Sequence, residues 1–231
     1  MSEMGVRQCR GSMGPADLSA ARVVSSIPRA ADAPVAAPAC PHAGAAARAD
    51  TSGTCAGAGA GDARHANWVY PSEQMFYDAM ARKGTLSFGP DAGSPKADMA
   101  WVVAIHNIVN EQAWQHICRW EGLRGGGQGQ GLALVRFLGR PEALSPRAWL
   151  RTNLLGCQRP FDRHDWYVQR PDGSVHRYVI DFYGGRGGAS VAGGFYLDVR
   201  PALDSAEALQ LRWRRFCLDC RERVIKFAAR G

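Results

Sequence analysis

All of the Trp, Tyr and Phe residues of this 231-residue chain lie beyond position 66. Residues 1–66 are mostly Ala, Gly, Pro, Ser and Arg and show no sustained hydrophobic periodicity. Such a segment cannot bury enough apolar surface to offset the entropy of ordering it, so a disordered leader is expected there. The fold must be built from the remaining residues, about 165, which is ample for one core. No run of about 18 or more apolar residues occurs, so no transmembrane helix is expected. The apolar stretch Met99 to Val109 is interrupted by His106 and Asn107 and is too short to span. The first residues lack a hydrophobic signal-peptide core. Arg7, Arg10 and Arg22 suit a transit peptide, but Glu3 and Asp17 sit among them and no amphipathic pattern is clear, which leaves targeting open.

The formal charge is +7, and its location says more than its size. Residues 1–66 carry six Arg against five acids, and residues 206–231 carry seven basic residues against three acids, which leaves the middle of the chain near neutral. A nucleic-acid binder would place a basic face on its folded core, so no nucleic-acid partner is expected. A basic tail instead suits an anionic membrane surface or an acidic partner. Seven cysteines with irregular spacing argue against a secreted disulfide framework.

Local signals predict an α+β fold: a single domain with a short antiparallel β-meander flanked by helices. Ser72 caps a helix to about Arg82, with Met75, Phe76, Ala79 and Met80 inward. A second helix is expected from Asn110 to about Leu123, and a short one within 141–150. Leu132 to Phe137 is a short strand or helical piece, and Gly122 to Gly131 a flexible connector. Strands are expected at Trp166–Gln169, Val175–Tyr183 and Phe195–Val199. Arg170-Pro171-Asp172-Gly173 forms the first turn, with Pro presetting φ and Gly supplying a positive φ. Leu209, Trp213, Phe216, Cys217, Cys220, Val224 and Phe227 form a helical stripe, with arginines mostly off it. This amphipathic basic helix either packs on the core or lies on a membrane surface. The expected division is a 1–66 leader, a 67–205 domain and a 206–231 helix.

The segment Ile105-His106-Asn107-Ile108-Val109-Asn110-Glu111-Gln112-Ala113-Trp114 carries the clearest chemistry. Read locally, Asn110 is an N-cap, Glu111 favours the helix dipole, and His106 sits just ahead of the helix. An imidazole there can ligate haem iron, although a lone histidine beside apolar residues is more often structural. His164, between Asp162, Arg163 and Asp165, is a second candidate, since flanking carboxylates fix a tautomer. Cys217-Leu218-Asp219-Cys220 is a CxxC inside a helix with no further metal ligands nearby, so packing is its expected role.

Five further blocks occur in order with this segment: Pro71-Ser72-Glu73-Gln74-Met75-Phe76, Ser145-Pro146-Arg147-Ala148, Phe161-Asp162-Arg163-His164-Asp165-Trp166, Tyr178-Val179-Ile180-Asp181-Phe182-Tyr183 and Leu197 to Ser205. Together they strongly resemble the holocytochrome c synthases, the mitochondrial cytochrome c-type haem lyases. The resemblance covers roughly Asn67 to Trp213. It implies a lyase that joins haem b to apocytochrome c, with cytochrome c1 an open alternative, through thioether bonds to the cysteines of a CxxCH segment. It implies His106 as the axial iron ligand, with Glu111 and Asn110 supporting it and Trp114 among the aromatics available to line a haem cavity. His164 would bond a propionate, bind the apocytochrome, or merely tie its loop to the sheet. Arg163 and Arg170, and also Arg147 and Arg159, offer forked donors to propionates. Cys40-Pro41 resembles a short haem-regulatory motif. The implied setting is the mitochondrial intermembrane space, peripheral on the inner membrane. The competing reading is a haem carrier without catalysis.

Overall fold

The computed structural model describes residues 18–31, 66–82, 95–125, 129–184 and 194–228. The elements run β1 (Val24–Pro28), β2 (Asn67–Val69), α1 (Glu73–Arg82), α2 (Pro95–Gly122), β3 (Ala133–Gly139), α3 (Pro146–Leu154), β4 (Asp162–Gln169), β5 (Val175–Gly184), β6 (Phe195–Pro201) and α4 (Ala206–Ala228). Strands β3-β4-β5-β6 form one antiparallel sheet in that order, and β1 pairs with β2 in a second. The α+β expectation holds. The meander gains a fourth strand, β3, where the apolar run from Leu132 left strand and helix open.

Strand alternation sorts the large sheet into two faces. Asp162, His164, Trp166 and Val168 of β4 align with Phe182, Ile180, Tyr178 and His176 of β5. Ile180 and Phe182 in turn align with Val199 and Leu197 of β6. This face packs on Val109, Ala113, Trp114 and Ile117 of α2 to form the main core. The opposite face buries charge. Asp181 accepts from Ser145 (2.7 Å) and pairs with Arg200, while Asp165 is held by Arg163 at 2.9 Å. Ser145 also caps α3 by accepting from the Ala148 N–H at 3.1 Å. The turn between β4 and β5 closes as expected. Gly173 has φ +81°, and the Arg170 N–H donates to the Ser174 carbonyl at 2.9 Å.

Three expectations need correction. First, α2 does not begin at Asn110. It begins at Pro95, a residue suited to the first helical position. His106 is therefore a mid-helix residue and Asn110 is not an N-cap. The β-branched run before it is a poor helix former alone, but Met99 and Val103 bury themselves against Phe76 of α1. Tertiary packing overrides propensity.

Second, the leader is not featureless. In β1, Ser25 and Ile27 point inward while their neighbours face out. Ile27 is 2 % exposed and joins the main core, a burial that contributes roughly 1.5–3 kcal/mol. Arg22 clamps the carbonyls of Val69 and Tyr70 at 3.0 and 3.1 Å. The Ala30 N–H reaches Leu134 of β3 at 3.1 Å. Four inward or pairing residues suffice because they complete a surface that other elements present.

Third, the packing role expected for Cys217 and Cys220 fails: of the two readings left open for the α4 stripe, packing on the core is not the one the structure has. Ala208 and Leu211 are the buried residues of α4, whereas Trp213 is 67 % exposed and Phe227 84 %. Cys217 and Cys220 are exposed too, so packing does not explain them. The Ser205 hydroxyl caps the helix by accepting from the Ala208 N–H, and the Arg212 guanidinium ties it to β6 by donating to the Pro201 carbonyl at 2.8 Å. Among the described residues no helix is long and apolar enough to cross a membrane.

Candidate functional site

α2 lays one face along the sheet, and the sheet face nearest α1 carries polar groups where the rest of that face is apolar. Period-two alternation puts Asp162 and His164 on it together. The 3.6-residue period puts Val102, Ile105, His106, Val109 and Asn110 on the helix face opposite. The result is a half-open cavity of about 200 Å³, walled by Phe76, Phe161, Phe182 and Phe195. Its walls are apolar except for His106, Asn110, Asp162 and His164. At that volume it is smaller than the roughly 300–1,000 Å³ of pockets that enclose a drug-sized ligand. A large flat ligand would enter by one edge and lie partly outside.

His106 is half-buried. Its Nε2 lies 3.0 Å from Nδ2 of Asn110, one turn on. Phe76 meets the ring edge-on at 5.4 Å between centroids and Tyr70 at 6.5 Å. With the imidazole Nε2 accepting from the Asn110 amide, a metal at that nitrogen would displace Asn110. With the amide reversed, Nε2 donates and Nδ1 keeps the lone pair. Asn110 thus controls which nitrogen is offered to the cavity.

His164 is 3 % exposed. Its ring lies between Phe182, edge-on at 4.9 Å, and Phe137, stacked at 6.3 Å. Nε2 approaches Oδ2 of Asp162 to 2.9 Å, but off the direction a good hydrogen bond needs, and both ring nitrogens lack an aligned partner in the protein. Asp162 is anchored by the backbone N–H of Arg163 at 2.7 Å. A buried imidazole with unspent hydrogen-bonding capacity, on the wall of a cavity, is poised for a ligand.

Glu111 looks away from this cavity, toward β1. It accepts from the Ser25 hydroxyl (2.8 Å), the Ser26 N–H (3.0 Å), the Tyr70 hydroxyl (3.0 Å) and the Ser26 hydroxyl. Burial raises its carboxyl pKa, but the bonds from Ser26, Ser25 and Tyr70 outweigh that and the net shift is downward. Burial, with the charge of Glu111 beside it, raises the Tyr70 phenol well above its ordinary value. Glu111 therefore fixes Tyr70, and Tyr70 flanks His106.

The other candidates sit elsewhere. Trp114 is a core residue behind the cavity. Arg163 points to the opposite sheet face and forks onto Asp165. Arg170 is buried between Glu121 and Glu207, at 2.8 and 2.9 Å, and joins α2 to the start of α4. Two carboxylates already satisfy that guanidinium, so it is not available to a ligand in the cavity. Arg147 is at Asp198 (3.6 Å), and Arg159 donates to the Glu142 carbonyl at 3.4 Å. Cys40 lies outside the described residues. Phe76, Phe182, Phe195 and Tyr70 were not singled out from sequence as site residues, and Asp162 was named only as a carboxylate flanking His164. Asp162 was visible by its two-residue spacing from His164, whereas the three Phe converge only through topology.

Residues 49–216 match the family described as Cytochrome c/c1 heme lyase. The chain belongs to that family. All six ordered sequence blocks of the haem lyase pattern fall inside the match, as do both cavity histidines. The chain is similar to a putative holocytochrome-c1 synthase of Chaetomium thermophilum, at 44% identity over 205 residues, covering 84% of this chain and 62% of that protein. It is also similar to the holocytochrome c-type synthase of Homo sapiens, at 44% over 153 residues, covering 64% and 56%. The holocytochrome-c synthase of Saccharomyces cerevisiae is 36% identical over 167 residues, covering 64% and 61%. The chain thus spans little more than half the length of these relatives. No solved structure matches it.

Proposed function

We propose that the protein is a haem lyase that joins haem b covalently to apocytochrome c or c1, with haem and the apoprotein both bound as substrates. The observation that supports this best is the convergence of His106, Asn110 and the Asp162–His164 pair on one phenylalanine-walled cavity. In this reading His106 ligates the haem iron. The histidine of the substrate's CxxCH segment takes the other axial position, which brings its two thiols beside the vinyl groups. Each thiol then adds across a vinyl double bond: a carbon–sulfur and a carbon–hydrogen bond form, and nothing is oxidised or released. The gain is mainly positional, because an oriented encounter replaces a bimolecular one. The small, one-sided cavity suits this task, since a substrate that must meet a second protein needs an open face.

The working location is the intermembrane space, with the protein held peripherally on the anionic inner-membrane surface. The exposed Trp213, Phe216, Ile225 and Phe227 of α4, beside its arginines, support that placement. Co-expression with an apocytochrome c, followed by in-gel staining for covalent haem, tests the activity. Product is expected from the native chain and none from His106→Ala. Haem retained without a thioether product would instead make the protein a carrier.

A further inference from the structure

A second cleft, of about 430 Å³, lies at the far end of α2. Its floor is the sheet-edge strand β6. Two helix faces line it: His116, Arg119 and Trp120 of α2, with Leu123 just past its end, and Arg212, Arg215, Phe216 and Asp219 of α4 at i, i+3, i+4, i+7 spacing. Arg147 and Arg200 complete it. Five guanidinium groups thus face two carboxylates, Asp198 and Asp219. Arg200 is engaged by Asp181 and Asp198, and Arg215 by Asp219 at 2.9 Å. Arg147 holds Asp198 at only 3.6 Å from a half-exposed side chain. Arg212 donates to the Pro201 carbonyl at 2.8 Å and has no carboxylate partner among the described residues.

We propose that this cleft binds the phosphate headgroup of an anionic phospholipid, with the acyl chains running along the apolar stripe of α4. The charge imbalance calls for an anion, and planar guanidinium forks suit phosphate oxygens. The lipid source follows from continuity. Phe216 belongs both to the cleft and to the exposed stripe, and its ring lies 5.7 Å from that of Trp213. The local field agrees: burial and the neighbouring Arg200 and Arg147 push the Arg212 guanidinium down to about 10, and burial with Arg119 and Arg215 lowers His116. The cleft is distinct from the histidine cavity, because Arg119 lies about 20 Å along α2 from His106 at 1.5 Å per residue.

This inference rests on the membrane-surface reading of α4 but adds a defined site to it. The test is co-sedimentation of the full chain with phosphatidylglycerol-containing or pure phosphatidylcholine vesicles. R119Q/R147Q changes residues outside α4 that a diffuse α4 anchor does not need, while R221Q/R223Q removes two charges from α4 outside the cleft. The cleft pair should weaken binding to anionic vesicles by on the order of tenfold per lost guanidinium–phosphate contact, and the α4 pair much less. R119Q alone, at an exposed position, keeps the test valid should the double variant fold poorly. Equal losses in both pairs, or none from R119Q and R119Q/R147Q, overturn the headgroup site. Vesicle binding unchanged in R119Q/R147Q, with inorganic phosphate bound by the native chain and lost from that variant, makes it a free-phosphate site and overturns the lipid assignment. Native protein that ignores anionic lipid altogether overturns the underlying reading of α4.

Discussion

Glu111 is where the N-terminal strand, the small sheet and α2 meet, and its removal should be costly out of proportion to its exposure. The carboxylate gathers bonds from Ser25, Ser26 and Tyr70. The two Ser26 donors are at the surface and recover water when Glu111 is lost, so they count for little. The hydroxyls of Ser25 and Tyr70 are buried and 3.3 Å apart, so without Glu111 one can donate to the other and a single buried donor is orphaned, at about 1–3 kcal/mol. Glu111→Ala should therefore destabilise by about 1–3 kcal/mol, and Glu111→Gln by less, because its amide oxygen still accepts. Urea denaturation at pH 7 measures this. Ser25→Ala and Glu111→Gln combined should couple by about 1 kcal/mol. Because the folded pKa of Glu111 is lowered, its contribution is complete above the unfolded value of 4.5 and is lost as pH falls through the folded value. The gap between native and Glu111→Gln should accordingly be full at pH 7 and shrink below pH 4.5. A gap under about 0.5 kcal/mol at pH 7, or strict additivity with Ser25→Ala, would refute the reasoning.

Other perturbations separate fold from site. Ile27→Ala should cost roughly 2–5 kcal/mol, the range for emptying a fully buried aliphatic site, read by thermal unfolding. Its neighbour Val24→Ala, at an exposed position, should cost little. Arg170→Met should destabilise by about 3–5 kcal/mol, since Glu121 is left buried without its partner. Haem affinity of the Arg170→Met protein that remains folded should be unchanged in a haem titration. Asn110→Ala should leave unfolding nearly unaltered but shift the haem Soret band or weaken haem retention, because the amide that sets the orientation of His106 is gone. A variant spectrum identical to the native one would remove Asn110 from the site.

What could be read from the chain depended on the range of the signal. The Arg170–Gly173 turn, the Ser72 cap of α1 and the strand alternation are set by neighbours a few residues apart, and all three appear in the structure. The start of α2 was misplaced because it depends on Met99 and Val103 meeting Phe76, a contact between separate helices. β1 was missed for a related reason. Five residues amid an Ala- and Gly-rich stretch carry little periodicity, and their stability comes from Glu111 and Leu134, 85 or more residues away.

The site shows the same division more sharply. His106, Asn110, Asp162 and His164 were legible as chemistry, because imidazoles and carboxylates stand out wherever they fall. Their convergence was not, since it needs α2 to cross the sheet at the one end where β4 exchanges tryptophan and valine for aspartate and histidine. The arginines went astray for the opposite reason. A guanidinium in a sequence looks available, and the buried acid that claims it, Asp165 for Arg163 and Glu121 for Arg170, is identified only by the register and the helix crossing. In the second cleft, the arginines without a close acid among the described residues are Arg119, Arg147 and Arg212, from three different helices. A charge becomes a binding site where packing leaves it uncompensated, and that is decided by the fold rather than by the run of residues around it.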